Sequence, residues 1–382
     1  MIIIDREPER IPDVVLRGIA PEGEILLFDI ETTGLRKETT QLYLIGCAWF
    51  RDEKWHIRQW LTQCAADEYE VLEDFLSFAS GFRTLVHFNG DRFDIPYLNY
   101  KCDYYMTRTD LSGFESFDIY AAARIARNLL GGGSMSQKSL ELFLGIRRDD
   151  QMDGGSLIPV YYNYEKTGAD EYKDLLLLHN YDDLQGMMKI LPVLSYTGIF
   201  AGDFSCEGFT CSEDALELRF HLEQPVPVPV SVFFSPGRGG KLCLRYEEGM
   251  DGESVAGLHA RQDRLHISLK LRETMGYLPL TPVSDYYYLP EEDMAVHKDL
   301  ARFLDRSRKK RASSANCFAK KEGMFFYQPL CDWIPGYCLE KTGKPLYSNL
   351  EDLLQASGQD AENTHRHLTD LALCLISAAA SS

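Results

Sequence analysis

The feature that most constrains this chain is a strand-like run that ends in two acids. Ile25 to Ile30 is a largely apolar stretch suited to a buried central strand. It runs through Phe28-Asp29-Ile30-Glu31-Thr32-Thr33-Gly34. Residues two apart on a strand point to the same face, so Asp29 and Glu31 project side by side, with Ile30 facing the other way. Carboxylates roughly 7 Å apart along a strand can bridge hard divalent cations. Without a cation, paired like charges at a buried strand are costly, and the alternative is an ordinary solvated strand end.

Two further segments carry chemistry. In Asn89-Gly90-Asp91-Arg92-Phe93-Asp94 a strand gives way to a helix. Asp94 falls near the first helical turn, where the helix dipole favours a carboxylate and the group can face a cleft at the strand ends. Asp94 or Asp91 could equally be a simple N-cap. His179-Asn180-Tyr181-Asp182-Asp183 lies within the clearest helical pattern, Glu171 to Leu191. Positions i and i+4 share a helix face, so His179 and Asp183 reach one cleft, while Asn180 and Asp182 are expected to point elsewhere.

Between these segments, Tyr43 to Phe50 and Trp55 to Leu61 read as strands, Asp67 to Ala79 as a helix and Thr84 to Phe88 as a strand. Asp94 to Tyr104, Phe117 to Arg127 and Ser136 to Leu144 read as helices, the second with a short strand entry. Three meandering strands followed by a helix, a strand and more helices predict a mixed α/β sheet.

At 382 residues the chain is long enough for two domains. The expected division is 1–196 and 204–382, with Ser195 to Asp203 as linker. The second part reads as β-rich α+β. Short strands are expected at Leu216 to Leu222, Val226 to Phe234, Lys241 to Tyr246, Leu265 to Leu271, Tyr286 to Leu289 and Met324 to Gln328. Helices are expected at Met294 to Leu304, Leu350 to Ala356 and Ala361 to Ala379.

A net charge of −18 argues against a protein that coats nucleic acid by bulk electrostatics. It leaves room for an enzyme that grips a few nucleotides, because a metal site must itself be acidic. The 10 cysteines include no Cys-x-x-Cys pair, which removes the usual zinc ribbons. With no long apolar run and charges throughout Met1 to Arg10, a cytoplasmic protein without a membrane partner is expected. Arg306, Arg308, Lys309, Lys310 and Arg311 form a basic cluster, followed by Lys320, Lys321, Phe325, Phe326 and Tyr327. Basic residues with aromatics suit single strands, and a solvated helix end is the plainer alternative.

Asp, Glu, Asp and Asp in that order, with His four residues before the last Asp, resembles the DEDD exonucleases over roughly residues 20–195. Phe-Asp-Ile-Glu-Thr-Thr-Gly-Leu at 28–35 is the most specific part. The group it looks most like is the YprB-like predicted exonucleases of the ribonuclease-H-like superfamily, in their His rather than Tyr subtype. Tyr181 would need an acid at position 185, which is Gln185. The resemblance implies a ribonuclease-H-like fold and a 3′→5′ exonuclease acting on single-stranded RNA or DNA with a free 3′ end. Two Mg²⁺ or Mn²⁺ ions would be shared by Asp29, Glu31, Asp94 and Asp183, with His179 as general base. Thr32, Leu35, Asn89 and Phe93 correspond to positions that hold the terminal nucleotide. Asp118 is a possible extra acid near the cleft, and Lys138-Ser139-Leu140-Glu141 is similar to a segment preceding the last motif. A proofreading or repair exonuclease within a larger assembly, or a binding module without catalysis, are the alternatives.

Overall fold

The computed structural model describes residues 1–8, 19–148, 152, 154–236, 242–245, 254–328, 331, 333–341, 343–344, 346–357 and 361–380. The chain divides into two compact units, Met1–Thr197 and Gly198–Ser382.

The first unit is built on a six-stranded sheet. Its strands are β1 (Ile2–Arg6), β2 (Ile25–Thr32), β3 (Leu42–Arg51), β4 (Lys54–Leu61), β5 (Thr84–His87) and β6 (Glu115–Asp118), in the order β1-β4-β3-β2-β5-β6. β1 to β4 pair antiparallel, and β5 and β6 join parallel to β2, giving a mixed sheet. Its helices are α1 (Glu68–Ala79), α2 (Asp94–Tyr105), α3 (Ile119–Ala123), α4 (Gln137–Phe143), α5 (Gly154–Thr167) and α6 (Asp170–Ile190).

The alternation of β2 decides what lies on each face. Leu26, Phe28 and Ile30 pack with Val71, Leu72 and Phe75 of α1 and Tyr97 and Leu98 of α2. Ile25 and Leu27 face the other way, onto Leu184, Met187 and Met188 of α6. Asp29 and Glu31 share that second face, so the period of two carries both acids toward α6. β1 and α5 add to the expected elements. β1 is a five-residue edge strand of alternating burial, and α5 buries Leu157, Tyr161 and Tyr164 despite an internal proline.

Most of the expected linker forms a helix, α7 (Ser195–Ala201). In the second unit β7 (Phe204–Cys211), β8 (Ala215–Pro236), β9 (Leu242–Arg245) and β10 (Ala256–Lys270) form one sheet. The two strands expected across 216–234 are one continuous strand. Pro225, Pro227 and Pro229 lie between His221 and Val230, where the register with β10 shifts twice. On the other edge β7 pairing ends at Leu222 and β9 pairing begins at Phe233, so among the described residues neither ladder includes the three prolines.

β11 (Arg272–Pro279), β12 (Tyr286–Leu289) and β13 (Met294–His297) follow, then α8 (Lys298–Ala301), β14 (Lys310–Arg311), β15 (Phe318–Tyr327), β16 (Tyr347–Asn349), α9 (Leu350–Ser357) and α10 (Ala361–Ala380). The helix expected at Met294 to Leu304 is replaced over its first four residues by a hairpin strand. Met294 to His297 pairs with Tyr286 to Leu289, and one helical turn remains. Lys241 and Tyr246, the ends of one expected strand, lie outside the described residues. None of the described helices is long and apolar enough to cross a membrane.

Candidate active site

The site forms where the ends of β2 and β5 meet α2 and α6. Asp29 pairs across the sheet with Gly46, and Glu31 with Leu44. Gly46 is required by what lies above it, since a Cβ there would stand 1.9 Å from Asn180 Oδ1. The open space lets α6 lie close, and Asn180 Nδ2 donates to Asp29 Oδ2 at 3.0 Å. Asn180 is therefore turned into the site rather than away from it, contrary to the helical-face expectation. The face α6 buries is wide enough to include His179, Asn180, Leu184 and Met187.

His179 and Asp183 lie one turn apart beside Glu31. His179 Nε2 is 3.2 Å from Asp183 Oδ2 and 3.4 Å from Glu31 Oε1. Ligand atoms of these three residues all fall within 4.8 Å of one another, close enough to share a metal ion. Asp94 opens α2 and is buried, with Oδ1 accepting from the Ile30 amide at 3.3 Å. That bond ties the start of α2 to the strand carrying Asp29 and Glu31.

The electrostatics describe a carboxylate cluster without enough countercharge. Burial, reinforced by the charges of Asp183, Glu31 and Asp94, pushes the Asp29 carboxyl well above the usual range, while the Asn180 hydrogen bond works in the opposite direction. Burial likewise pushes Asp94 up to about 7. A divalent cation resolves such repulsion, and a donor set rich in carboxylate oxygens suits a hard cation. The residues thus fit a hard metal ion.

Tyr43 belongs to the site with no sequence signal to mark it. It sits in an apolar strand, stacks on Tyr161 with ring centroids 4.4 Å apart, and its hydroxyl lies 3.5 Å from Glu31 Oε2. Burial, followed by the charge of Glu31, raises its pKa, so it stays a neutral donor.

The expected nucleotide-contacting residues differ in their surroundings. Leu35 is 84% exposed. The Thr32 hydroxyl donates to the Gly34 carbonyl at 2.8 Å. Phe93 packs against the α1/α2 core, its ring 5.6 Å from that of Tyr97. Asn89 adopts φ 61°, in the left-handed region, and its backbone N–H donates to Asp118 Oδ1 at 2.8 Å.

A second group, His87, Asp91 and Asp118, also brings ligand atoms together. Both ring nitrogens of His87 and one oxygen each of Asp91 and Asp118 are already engaged. Gly90 N–H donates to His87 Nδ1, which puts the neutral ring's proton on Nε2, 2.7 Å from Ser116 Oγ. Ser116 in turn donates to Asp91. Asp118 caps α3 by accepting from the Tyr120 and Ala121 amides. Burial lowers the His87 pKa, consistent with a neutral ring. We read this group as a brace for the 87–91 turn, with Asp118 holding Asn89.

In the second unit the basic cluster is uneven. Arg308 pairs with Glu292 at 2.5 Å, and Lys309 donates to the Ala301 carbonyl and lies over the Tyr287 ring. Lys320 pairs with Asp293, and Lys321 with Asp352. Arg306, Lys310 and Arg311 are exposed and make no ion pair among the described residues. The aromatic part of the expected patch is absent from the surface, because Phe325, Phe326 and Tyr327 are all buried, on a stretch of β15 covered on both faces.

Residues 26–195 match the family model of the RNase_H superfamily, in agreement with the ribonuclease-H-like α/β fold. Among solved structures, the chain is similar to the family B DNA polymerase from the hyperthermophilic archaeon Pyrobaculum calidifontis. The identity is 14% and the TM-score 0.35, over 46% of this chain and 26% of that chain. No curated protein matches the sequence. The superfamily match and the acidic clusters together support a metal-dependent, nucleic-acid-cleaving function.

Proposed function

We propose that residues 20–195 form a 3′→5′ exonuclease of the DEDDh type, similar to the YprB-like group, acting in the cytoplasm on single-stranded nucleic acid. In this reading Asp29, Glu31, Asp94 and Asp183 hold two Mg²⁺ or Mn²⁺ ions. When bound, such ions supply Lewis-acid charge at the scissile phosphate and its leaving oxygen. The chain's own contribution is a base and a cradle. His179 takes the proton from the attacking water, Asn180 and Tyr43 keep Asp29 and Glu31 in place, and Leu35 lies against the terminal base. Thr32, Asn89 and Phe93 line the same end of the cleft. Products are nucleoside 5′-monophosphates, released one at a time.

The observation that carries this reading is the approach of His179 Nε2 to carboxylates from two different motifs, 3.2 Å to Asp183 and 3.4 Å to Glu31. An imidazole within a carboxylate cluster is suited to moving a proton beside bound cations. The test is degradation of 5′-labelled single-stranded RNA and DNA with Mn²⁺ or Mg²⁺, comparing the wild type with Asp29→Ala. A metal-requiring ladder lost in the variant supports the exonuclease and reveals the preferred polymer. Metal binding with no cleavage of either polymer would transfer the reading to a binding module.

A further inference from the structure

Asp183 is gripped from behind by an ion-pair network that the proposed chemistry leaves unused. Arg148 Nη1 donates to Asp183 Oδ1. The same guanidinium engages both oxygens of Glu141, through Nε to Oε2 and through Nη2 to Oε1, the latter at 2.6 Å. Glu141 lies on α4 and is 2% exposed, and the Arg148 side chain is nearly as buried. Gln137 Nε2 supports both partners, donating to Glu141 Oε1 at 3.0 Å and to the Asp183 carbonyl at 2.8 Å. Gly186 makes room for the network, since a Cβ there would stand 2.0 Å from Glu141 Oε1.

The consequence concerns which oxygen of Asp183 enters the site. With Oδ1 occupied by Arg148, Oδ2 is the oxygen turned toward His179, at 3.2 Å, and toward the group that includes Glu31. A carboxylate on a helix otherwise rotates about its last torsion, and presenting both oxygens inward would change the ligand set. We propose that Arg148 is a positioning residue that fixes the rotation of the Asp183 carboxylate for metal binding, with Glu141 as its anchor. The inference rests on the reading of Asp183 as a metal ligand. Arg148 does not touch the reacting atoms. It acts through Asp183, and its planar fork is the relevant property, because one guanidinium must span two carboxylates that a lysine ammonium would meet only as a point charge.

The test is Mn²⁺ binding to the full chain without nucleic acid, followed by the electron paramagnetic resonance signal of free Mn²⁺, for wild type, Asp29→Ala, Arg148→Lys, Arg148→Gln and Glu141→Gln. Cooperative thermal unfolding in chelator establishes that each variant is folded. Arg148→Lys keeps the charge and Glu141→Gln keeps the arginine, so these two carry the test if Arg148→Gln leaves Glu141 buried unpaired and fails to fold. Loss of such supporting partners weakens metal affinity by about 10- to 100-fold, and that loss is expected in Arg148→Lys and Glu141→Gln. Wild-type binding that Asp29→Ala abolishes but that Arg148→Lys and Glu141→Gln leave unchanged would overturn the positioning role alone. Tighter binding in the folded Arg148 variants would also overturn it, by making Arg148 a competitor for Asp183. A wild-type chain that binds no Mn²⁺ would remove the metal-site reading itself.

Discussion

Asn180 on α6 donates its side-chain amide to the Asp29 carboxylate on β2 at 3.0 Å, joining residues 151 positions apart at the centre of the site. The same Asn180 accepts from Gln59 Nε2 at 2.9 Å, so one buried amide links α6, β2 and β4. Asn180→Ala removes a donor to a crowded carboxylate and strips a partner from a buried amide. It is expected to cost about 1–3 kcal/mol of stability and to weaken metal binding. Gly46→Ala forces Asn180 away by direct overlap and should have the larger effect on both. Urea unfolding and Mn²⁺ titration check the order; an Asn180→Ala chain as stable as wild type would contradict it.

The pH dependence of the metal-free protein has a definite sign. Asp94 titrates near 7 in the folded chain against an ordinary carboxylate value of 3.8, because burial disfavours its charged form. A raised folded pKa stabilises the fold at pH below the unfolded value, and that stability is lost as pH rises from about 4 through 7. In chelator, the unfolding midpoint of the wild type should therefore fall across this window. Asp94→Asn, which has no proton to lose, should fall less. Equal pH profiles for the two proteins would show that Asp94 is not the group responsible. Added Mn²⁺ should oppose the fall, since metal binding favours the deprotonated carboxylates.

Of the basic residues at 306–311, Arg306, Lys310 and Arg311 are the ones left facing solvent without an acidic partner among the described residues. If the second unit contributes to holding a phosphate backbone, replacing these three by Ser weakens single-strand binding and flattens its salt dependence. Replacing Lys320 and Lys321, which are engaged by Asp293 and by Asp352, should alter stability more than binding. Binding curves over a series of salt concentrations separate the two; identical slopes for wild type and the triple variant would assign the basic stretch to ordinary solvated surface.

Period-two alternation made the facing of Asp29 and Glu31 readable, and i,i+4 spacing did the same for His179 and Asp183, because both rules are local. What those rules miss is set by packing between distant segments. Asn180 faces inward because Gly46, on another element, leaves it space. Tyr43 meets Glu31 through a strand register, and Arg148 meets Asp183 from an irregular stretch with no periodicity to read. The same holds for the fold. Three prolines look like breaks between strands, yet among the described residues they fall where the pairing of β8 is interrupted. Met294 to Leu304 has helical spacing, but its first four residues are claimed by pairing with β12.

The most direct test of the central claim uses one single-stranded sequence in two forms, a 5′-labelled linear oligonucleotide and the same oligonucleotide ligated into a circle, each incubated with protein and Mn²⁺. A 3′→5′ exonuclease shortens the linear strand to a ladder and leaves the circle intact. His179→Ala, lacking the base, should slow the ladder by about 10²- to 10⁴-fold. Opening of the circle, or a linear strand whose 5′ label is released first, would contradict the account.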